Sequence, residues 1–355
     1  MSIEIRKYDG SAEELSEFIV GNWLKSYAGK MAVPDWSPAY FDWQMTGPEI
    51  TDREYLISAW KDGKLVGTLL AMPFPMWYLG KEVIGAQGSW LTVDPEVRRE
   101  GAAKMMALEI AKRQRDQNCL ARVGYAFGTG KTSLGPRFWK TAKENTSFVK
   151  PVRLWARLLD SKTFIDWTNN MFERTMMQIL PNAVCNVDPV SSDVAIRDYV
   201  PEDLQSCQEL INCQAKTSDL AILWPADRLQ RQLQHSDFVN TMLVTRDENI
   251  VGFLNYHKIG IHLRGVIPAA IVDILACQEM TKKETNSLLN AFCQRMKDEG
   301  VKMMLLREFV NQPIRLLLKS RFIPQPVAST LLLSRSDPQA DITPSKVKSI
   351  QVLWR

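Results

Sequence analysis

The chain has 355 residues, 45% hydrophobic and 24% charged, with 44 Lys plus Arg against 40 Asp plus Glu. That is the composition of a globular protein long enough for about two domains, and a net charge of +4 lacks the heavy basic stripe that duplex nucleic acid demands. The apolar runs fall short of the roughly 20 residues that span a bilayer. The opening MSIEIRKYDG has no apolar signal core. Six cysteines without C-x-x-C spacing predict reduced, mostly buried thiols. The expected setting is therefore cytosolic, with no membrane, nucleic acid or metal.

Residues 3–8 alternate as a short strand. Ser11 and Glu14 have the spacing of a capping box, in which the hydroxyl takes a helix N–H and the carboxylate reaches back to the cap, so a helix should follow to about Leu24. Residues 31–48, rich in Pro34, Trp36, Tyr40, Phe41 and Trp43, predict short helical pieces and loop. Strands over 55–60 and 65–78 meet at Lys61-Asp62-Gly63-Lys64, where Asp-Gly signals a hairpin. A second turn at Leu79-Gly80 leads to a strand ending at Val93. Beyond the turn dipeptide Asp94-Pro95 and a charged loop, a helix opens at Gly101 and runs to about Asn118, with Met105, Met106, Leu108 and Ile110 expected on its core side. Residues 121–127 read as the next strand, 131–144 as a helix holding Phe138 and Trp139, and 148–159 as closing strand.

The stretch from Trp90 to Leu108 is thus strand, loop and helix. The first N–H groups of a helix lack partners within it, and its dipole places partial positive charge there, so this arrangement can hold phosphate. Gly101, Ala102 and Ala103 leave those donors uncovered. The spacing Val93-x-Pro95-x-x-Arg98-x-x-Gly101-x-Ala103 resembles the acetyl-CoA signature of the GNAT N-acetyltransferase superfamily. The element order over residues 1–160, β, α, three β, α, β, α, β, is similar to the superfamily order.

The resemblance implies an acetyl-CoA co-substrate. Backbone groups along Leu91, Thr92 and Val93 would pair with the pantetheine arm, and amides of Arg99, Glu100, Gly101, Ala102, Ala103 and Lys104 would hold the pyrophosphate, with Arg98 or Arg99 adding charge-assisted bonds. It implies an amine acceptor, small molecule or peptide, beneath residues 31–48. The usual family base is a Glu on the signature strand, where this chain has Gln87 and Ser89, with Glu82 further back. The usual acid is a Tyr on the last helix, where this chain reads Arg137-Phe138-Trp139-Lys140. Ser89 and Tyr125 are the catalytic candidates, each weighed against a plain strand hydroxyl and a core tyrosine.

The second half repeats the plan. A connecting helix over 161–180 and a linker with Pro181, Asp188 and Pro189 precede a strand at 194–200 and a helix opened by Pro201. A hairpin follows at 242–246 and 250–259, then a strand at 267–277, a helix at 284–299, a strand at 301–306 and a helix at 311–320. The fold expected is α/β (α+β): two GNAT-like mixed sheets flanked by helices, in tandem, with a cofactor domain at 1–160, a connector at 161–190 and a degenerate unit with a C-terminal tail at 191–355. The second unit has no glycine between Gly265 and Gly300, and its helix opens Thr281-x-x-Glu284, a capping box whose hydroxyl occupies the donors a phosphate would need.

The function expected is transfer of an acetyl or short acyl group from its CoA thioester to an amine. The alternatives are a non-catalytic CoA-binding regulatory or interaction protein and, less suited to an intact phosphate loop, aminoacyl transfer from tRNA. Gly128-Thr-Gly-Lys131-Thr132 resembles a phosphate-binding P-loop, but the pattern needs glycine at 125, which is Tyr. Eight of the eleven tryptophans lie before residue 160 and read either as an acceptor pocket or as core. His235, His257 and His262 lie far from the signature and read as surface or satisfied core residues. Assembly into a homo-oligomer is left open.

Overall fold

The computed structural model describes residues 2–128, 133–141, 145–179, 182–308, 314–327, 329–337 and 339–355. The first half runs β1 (Glu4–Lys7), α1 (Ala12–Tyr27), β2 (Val33–Pro34), α2 (Pro38–Phe41), β3 (Leu56–Lys61), β4 (Lys64–Tyr78), β5 (Lys81–Val93), α3 (Ala102–Asp116), β6 (Ala121–Phe127), α4 (Leu134–Thr141), β7 (Thr146–Val152) and β8 (Leu154–Leu158). Ser11 caps α1 as its spacing predicts, its Oγ accepting from the Glu14 amide at 3.2 Å. The β3–β4 and β4–β5 hairpins turn on residue pairs with φ of 53° and 74° (Asp62, Gly63) and 47° and 88° (Leu79, Gly80). Two successive positive φ values match the right-handed twist of the flanking strands. On α3, Ala102, Met106, Ile110 and Gln114 are buried at i, i+4 spacing, whereas Met105 and Leu108 are exposed, which corrects the expected core face. Of the helix expected at 131–144, residues 131, 132 and 142–144 lie outside the described residues, as do Thr129 to Thr132 of the P-loop-like motif.

The remainder comprises α5 (Ser161–Trp167), α6 (Met171–Ile179), β9 (Ala195–Asp198), α7 (Leu204–Ala215), β10 (Leu220–Ile222), α8 (Ala226–Leu233), β11 (Val239–Arg246), β12 (Asn249–His262), β13 (Val266–Ala276), α9 (Lys282–Asp298), β14 (Met303–Arg307), α10 (Ile314–Lys319), β15 (Ile323–Pro324), β16 (Ser329–Arg335) and β17 (Ile350–Gln351). The single connecting helix expected over 161–180 is two helices. Thr168 is extended, its Oγ1 accepts from the Asn170 amide at 3.1 Å, and the Asn170 side chain accepts from the Glu173 amide at 3.4 Å, side-chain bonds that compete with helical pairing. Residues 180–181 and 309–313, at the end of that stretch and the start of the last predicted helix, lie outside the described residues.

Two mixed sheets result, ordered β1-β3-β4-β5-β6-β16-β7, with β10 and β17 beside β4, and β15-β8-β14-β13-β12-β11-β9, with β2 beside β12. Each contains a parallel pair around a crossover helix, β5 and β6 around α3 and β13 and β14 around α9, and in the first sheet β10 and β17 also run parallel. The sheets also exchange strands. The closing strand expected at 148–159 divides, β7 joining the first sheet and β8 pairing with β14 in the second. Residues 155–159 are buried on both faces, packing Trp155 and Leu159 into one core and Ala156 and Leu158 into the other, which requires a strand covered on both sides. In return β16, from the stretch expected to be tail, lies between β6 and β7. One continuous core joins the two sheets, centred on Tyr40, Trp43, Phe74, Trp90, Leu243 and Ile271.

Candidate functional site

β5 and β6 are paired only at Gly85–Ala121, Ala86–Arg122 and Gln87–Val123, and then separate. Two glycines sit where they part. A Cβ on Gly124 would lie 2.9 Å from the Gly88 carbonyl oxygen, and one on Gly88 would lie 2.4 Å from the Arg122 Cδ. Further along, β5 bulges: Ser89 faces Leu70 and Thr92 faces Thr68, so Trp90 and Leu91 together oppose Leu69. Trp90 has a φ of 51°, a region that costs a non-glycine residue about 1–3 kcal/mol unless its surroundings enforce it. Here Phe41, Tyr40 and Trp36 hold the indole with ring centroids 5.4, 5.9 and 6.0 Å away, and Thr68 Oγ1 donates to the Trp90 carbonyl at 2.9 Å. The bulge carries β5 away from β6 and opens a cleft of about 540 Å³ between them.

At the open end of the cleft, Asp94 caps the turn Pro95–Val97 and the chain reaches Gly101, the N-cap of α3, with φ of 94°. No side chain caps this helix, and nothing lies within 4 Å of the Cβ position of Gly101. The first helical bond is from the Met105 amide to the Gly101 carbonyl, so among the described residues nothing accepts from the amides of Gly101, Ala102, Ala103 and Lys104. The loop is braced from behind: Arg98 donates to Ser26 Oγ at 2.6 Å and to the Val93 carbonyl at 3.3 Å, and Glu100 pairs with Lys61 at 2.8 Å. The guanidinium of Arg98 is thereby partly engaged in structure, whereas Arg99 (φ 84°) and Lys104 have exposed side chains with no described partner.

The other candidates fall along the same cleft. Leu91 and Val93 line it, and Thr92 Oγ1 is taken by the Trp23 indole N–H at 2.9 Å, leaving Thr92 its backbone as a ligand. Ser89 Oγ is buried with no hydrogen-bond partner among the described residues. Tyr125, 9% exposed, accepts a hydrogen bond from Arg307. Burial pushes its pKa up to about 12, against the pull of that guanidinium, so the phenol stays protonated at neutral pH. Gln87 is committed elsewhere, its amide bonded both ways to the Leu353 backbone beside β17. Trp23, Trp36, Trp90 and Trp139 line the cleft, while Trp43 and Trp155 are core, so both readings of the tryptophans hold in part. His257 is a satisfied core residue, 1% exposed, with Nδ1 2.6 Å from Asp273 Oδ2.

Two features escape a reading of the sequence. The second half forms part of the cleft wall through Leu332 and Ser334 of β16 and through Arg355. Arg122, within the stretch 121–127 read as a plain strand, is a second: its side chain crosses Gly88 into the cleft with its carbon 5.5 Å from the Trp139 ring centroid. A lone charge inside an otherwise apolar strand was the available signal.

Residues 25–132 match the family described as Acetyltransferase (GNAT) domain. The fold of the whole chain is that of a Saccharomyces cerevisiae N-myristoyltransferase structure with bound myristoyl-CoA and inhibitors, at a TM-score of 0.78 and 15% identity over 100% of this chain and 87% of that one. It is also similar to a GCN5-related N-acetyltransferase from Kribbella flavida (TM-score 0.52, 16% identity, 94% of this chain and 71% of that one). A GCN5-related N-acetyltransferase from Anabaena variabilis gives a TM-score of 0.55 at 12% identity, covering 95% and 73% of the two chains. No curated protein matches the chain in sequence.

Proposed function

We propose that this chain, with a GNAT domain in its first half and a tandem GNAT fold overall, is an acyltransferase that moves an acyl group from a CoA thioester to an amine. The observation that carries the reading is the unfilled start of α3 at the mouth of the cleft, four consecutive amides with no described acceptor. Such donors, in the field of a helix N-terminus, suit a pyrophosphate. The edge of β5 from Leu91 to Val93, unpaired on the side of β6, suits the amide groups of a pantetheine arm. Arg99 and Lys104 supply charge for phosphate at the mouth.

In the transfer, the amine nitrogen forms a bond to the thioester carbonyl carbon, the carbon–sulfur bond breaks, the attacking nitrogen gives up a proton and the thiolate takes one. Ser89 Oγ, buried and without a partner among the described residues, can accept from the amine or orient a water that does. Tyr125, protonated at neutral pH and polarised by Arg307, can donate its proton to the thiolate. The N-myristoyltransferase likeness leaves acyl length and a peptide acceptor as alternatives to acetyl and a small amine. The second reading, a CoA-binding regulator without chemistry, is favoured by Gln87, which is tied to Leu353 where a base would stand.

Purified protein titrated with acetyl-CoA should gain thermal stability, and with an amine panel it should release free thiol. A shift without thiol release selects the regulator, and no shift with any CoA compound removes the proposal.

A further inference from the structure

Arg122 is the group the transfer leaves unexplained. It is 6% exposed, its Nη1 is buried without a partner, and among the described residues it has no hydrogen bond and no carboxylate. Its neighbour Cys119 does not neutralise it, because burial pushes that thiol up to about 11 and leaves it uncharged at neutral pH. Burial pulls Arg122 itself down to about 10, so the guanidinium stays charged at neutral pH. The buried Arg157 differs: its guanidinium donates to the carbonyls of Leu158 and Asn186, both at 2.7 Å, and of Val184. A buried charge with nothing to bond is costly, and a fold retains it where a ligand completes it.

The position of Arg122 identifies that ligand. The Arg122 backbone is opposite Ala86, its stem lies against Gly88 where the strands part, and the five residues from Gly88 to Val93 span about 15 Å of strand, which sets the guanidinium at the fork, away from the mouth at Gly101. A thioester threaded from α3 toward the fork brings its acyl group to this end. Arg122 shares its sheet face with Gly124 and Ala126, against Trp139 and Leu332, and the side chains of Val123 and Tyr125 take the opposite face. Gly88 supplies the passage, since any side chain there would occupy the space of the Arg122 stem.

Resting on the acyl-CoA reading above, we propose that Arg122 is a specificity residue for an acyl group ending in a carboxylate, a dicarboxylic acid joined to CoA through one carboxyl with the other free. The distal carboxylate pairs with the guanidinium in the two-pronged geometry that arginine favours, over the face of Trp139. Transfer leaves that carboxylate unchanged: the carbon–nitrogen bond forms and the carbon–sulfur bond breaks at the other carboxyl. A long apolar chain meets an unpaired charge at the same place and is disfavoured.

Calorimetric titration of the full chain with CoA, acetyl-CoA, succinyl-CoA and myristoyl-CoA tests this. The expected result is a Kd for succinyl-CoA at least tenfold below that for acetyl-CoA, about 1.4 kcal/mol, with myristoyl-CoA no tighter than CoA. Arg122→Gln and Arg122→Met should abolish the tenfold preference while still binding CoA, and their ligand-free Tm should be unchanged or raised, since an unpaired buried charge is lost. Equal Kd values for succinyl-CoA and acetyl-CoA in the wild type, a preference that survives both substitutions, or a Tm lowered by several degrees in both variants overturns the assignment. If CoA and all its thioesters fail to bind, the acyl-CoA reading itself falls. If they bind without preference, only the role of Arg122 does.

Discussion

The two crossover helices α3 and α9 occupy equivalent places in the two sheets and begin in opposite ways. α9 closes its own start: Thr281 Oγ1 accepts from the Glu284 amide at 3.2 Å, Glu284 returns to the Thr281 amide at 2.6 Å, and Arg246 grips the same carboxylate at 2.6 and 2.8 Å. α3 starts at a glycine with no side-chain cap and four amides without described acceptors. One unit has spent its helix terminus on stability and the other has left it for a ligand. The cap residues differ in backbone as well as side chain, Gly101 being left-handed at a φ of 94° and Thr281 extended at a φ of −68°.

The largest effect that would break this comparison comes from Gly101→Glu. Bulk and negative charge at the α3 start should remove CoA binding entirely, so a stabilisation of about 2.7 kcal/mol at a hundredfold excess over Kd falls to nothing. A thermal shift that survives in this variant would move the site elsewhere. On the other side, Thr281→Ala should destabilise the ligand-free protein by about 1 kcal/mol and leave its affinity for CoA unchanged. A fall in CoA affinity with that substitution would give the second unit a share in the site.

Arg99→Ala should weaken CoA binding severalfold and flatten its dependence on salt, because one exposed cation leaves the phosphate end. An affinity equal to wild type at low ionic strength would exclude Arg99 from it. The smallest effect is in pH. Arg246 and the Thr281 amide hold the Glu284 carboxyl at about 2, below its usual 4.5. A depressed folded pKa gives stability that is fully present above about 4.5 and lost as pH falls toward 2. The Tm difference between wild type and Glu284→Gln should therefore shrink over that window, and a difference that is constant from pH 6 to pH 2.5 would contradict it.

What the sequence made legible was local. The Asp-Gly hairpin, the Thr281 capping box, the crossover around α3 and the open Gly101 terminus are each set by residues a few positions apart and are found where their spacing predicts, whereas the Ser11 box is half formed, because the Glu14 carboxylate accepts from the Tyr8 hydroxyl at 2.8 Å instead of from the Ser11 amide. What it hid depends on partners far away in the chain. The exchange of β8 for β16 follows from burial on both faces, which periodicity cannot assign to a particular sheet. Residues 31–48 do form short helical pieces and loop, but the sequence did not show that Trp36, Tyr40 and Phe41 pack on the strained Trp90 and so help hold the bulge that opens the cleft. The Arg122 side chain looks like a strand decoration until Gly88, in the neighbouring strand β5, is seen to make way for it.

The comparison of the two helix starts is tested most directly by amide hydrogen exchange on the full chain with and without CoA. The account predicts slowed exchange in peptides covering Gly101 to Lys104 when CoA is present, with no change at Lys282 to Thr285. Protection at α9, or unaltered exchange at α3 under saturating CoA, would contradict it.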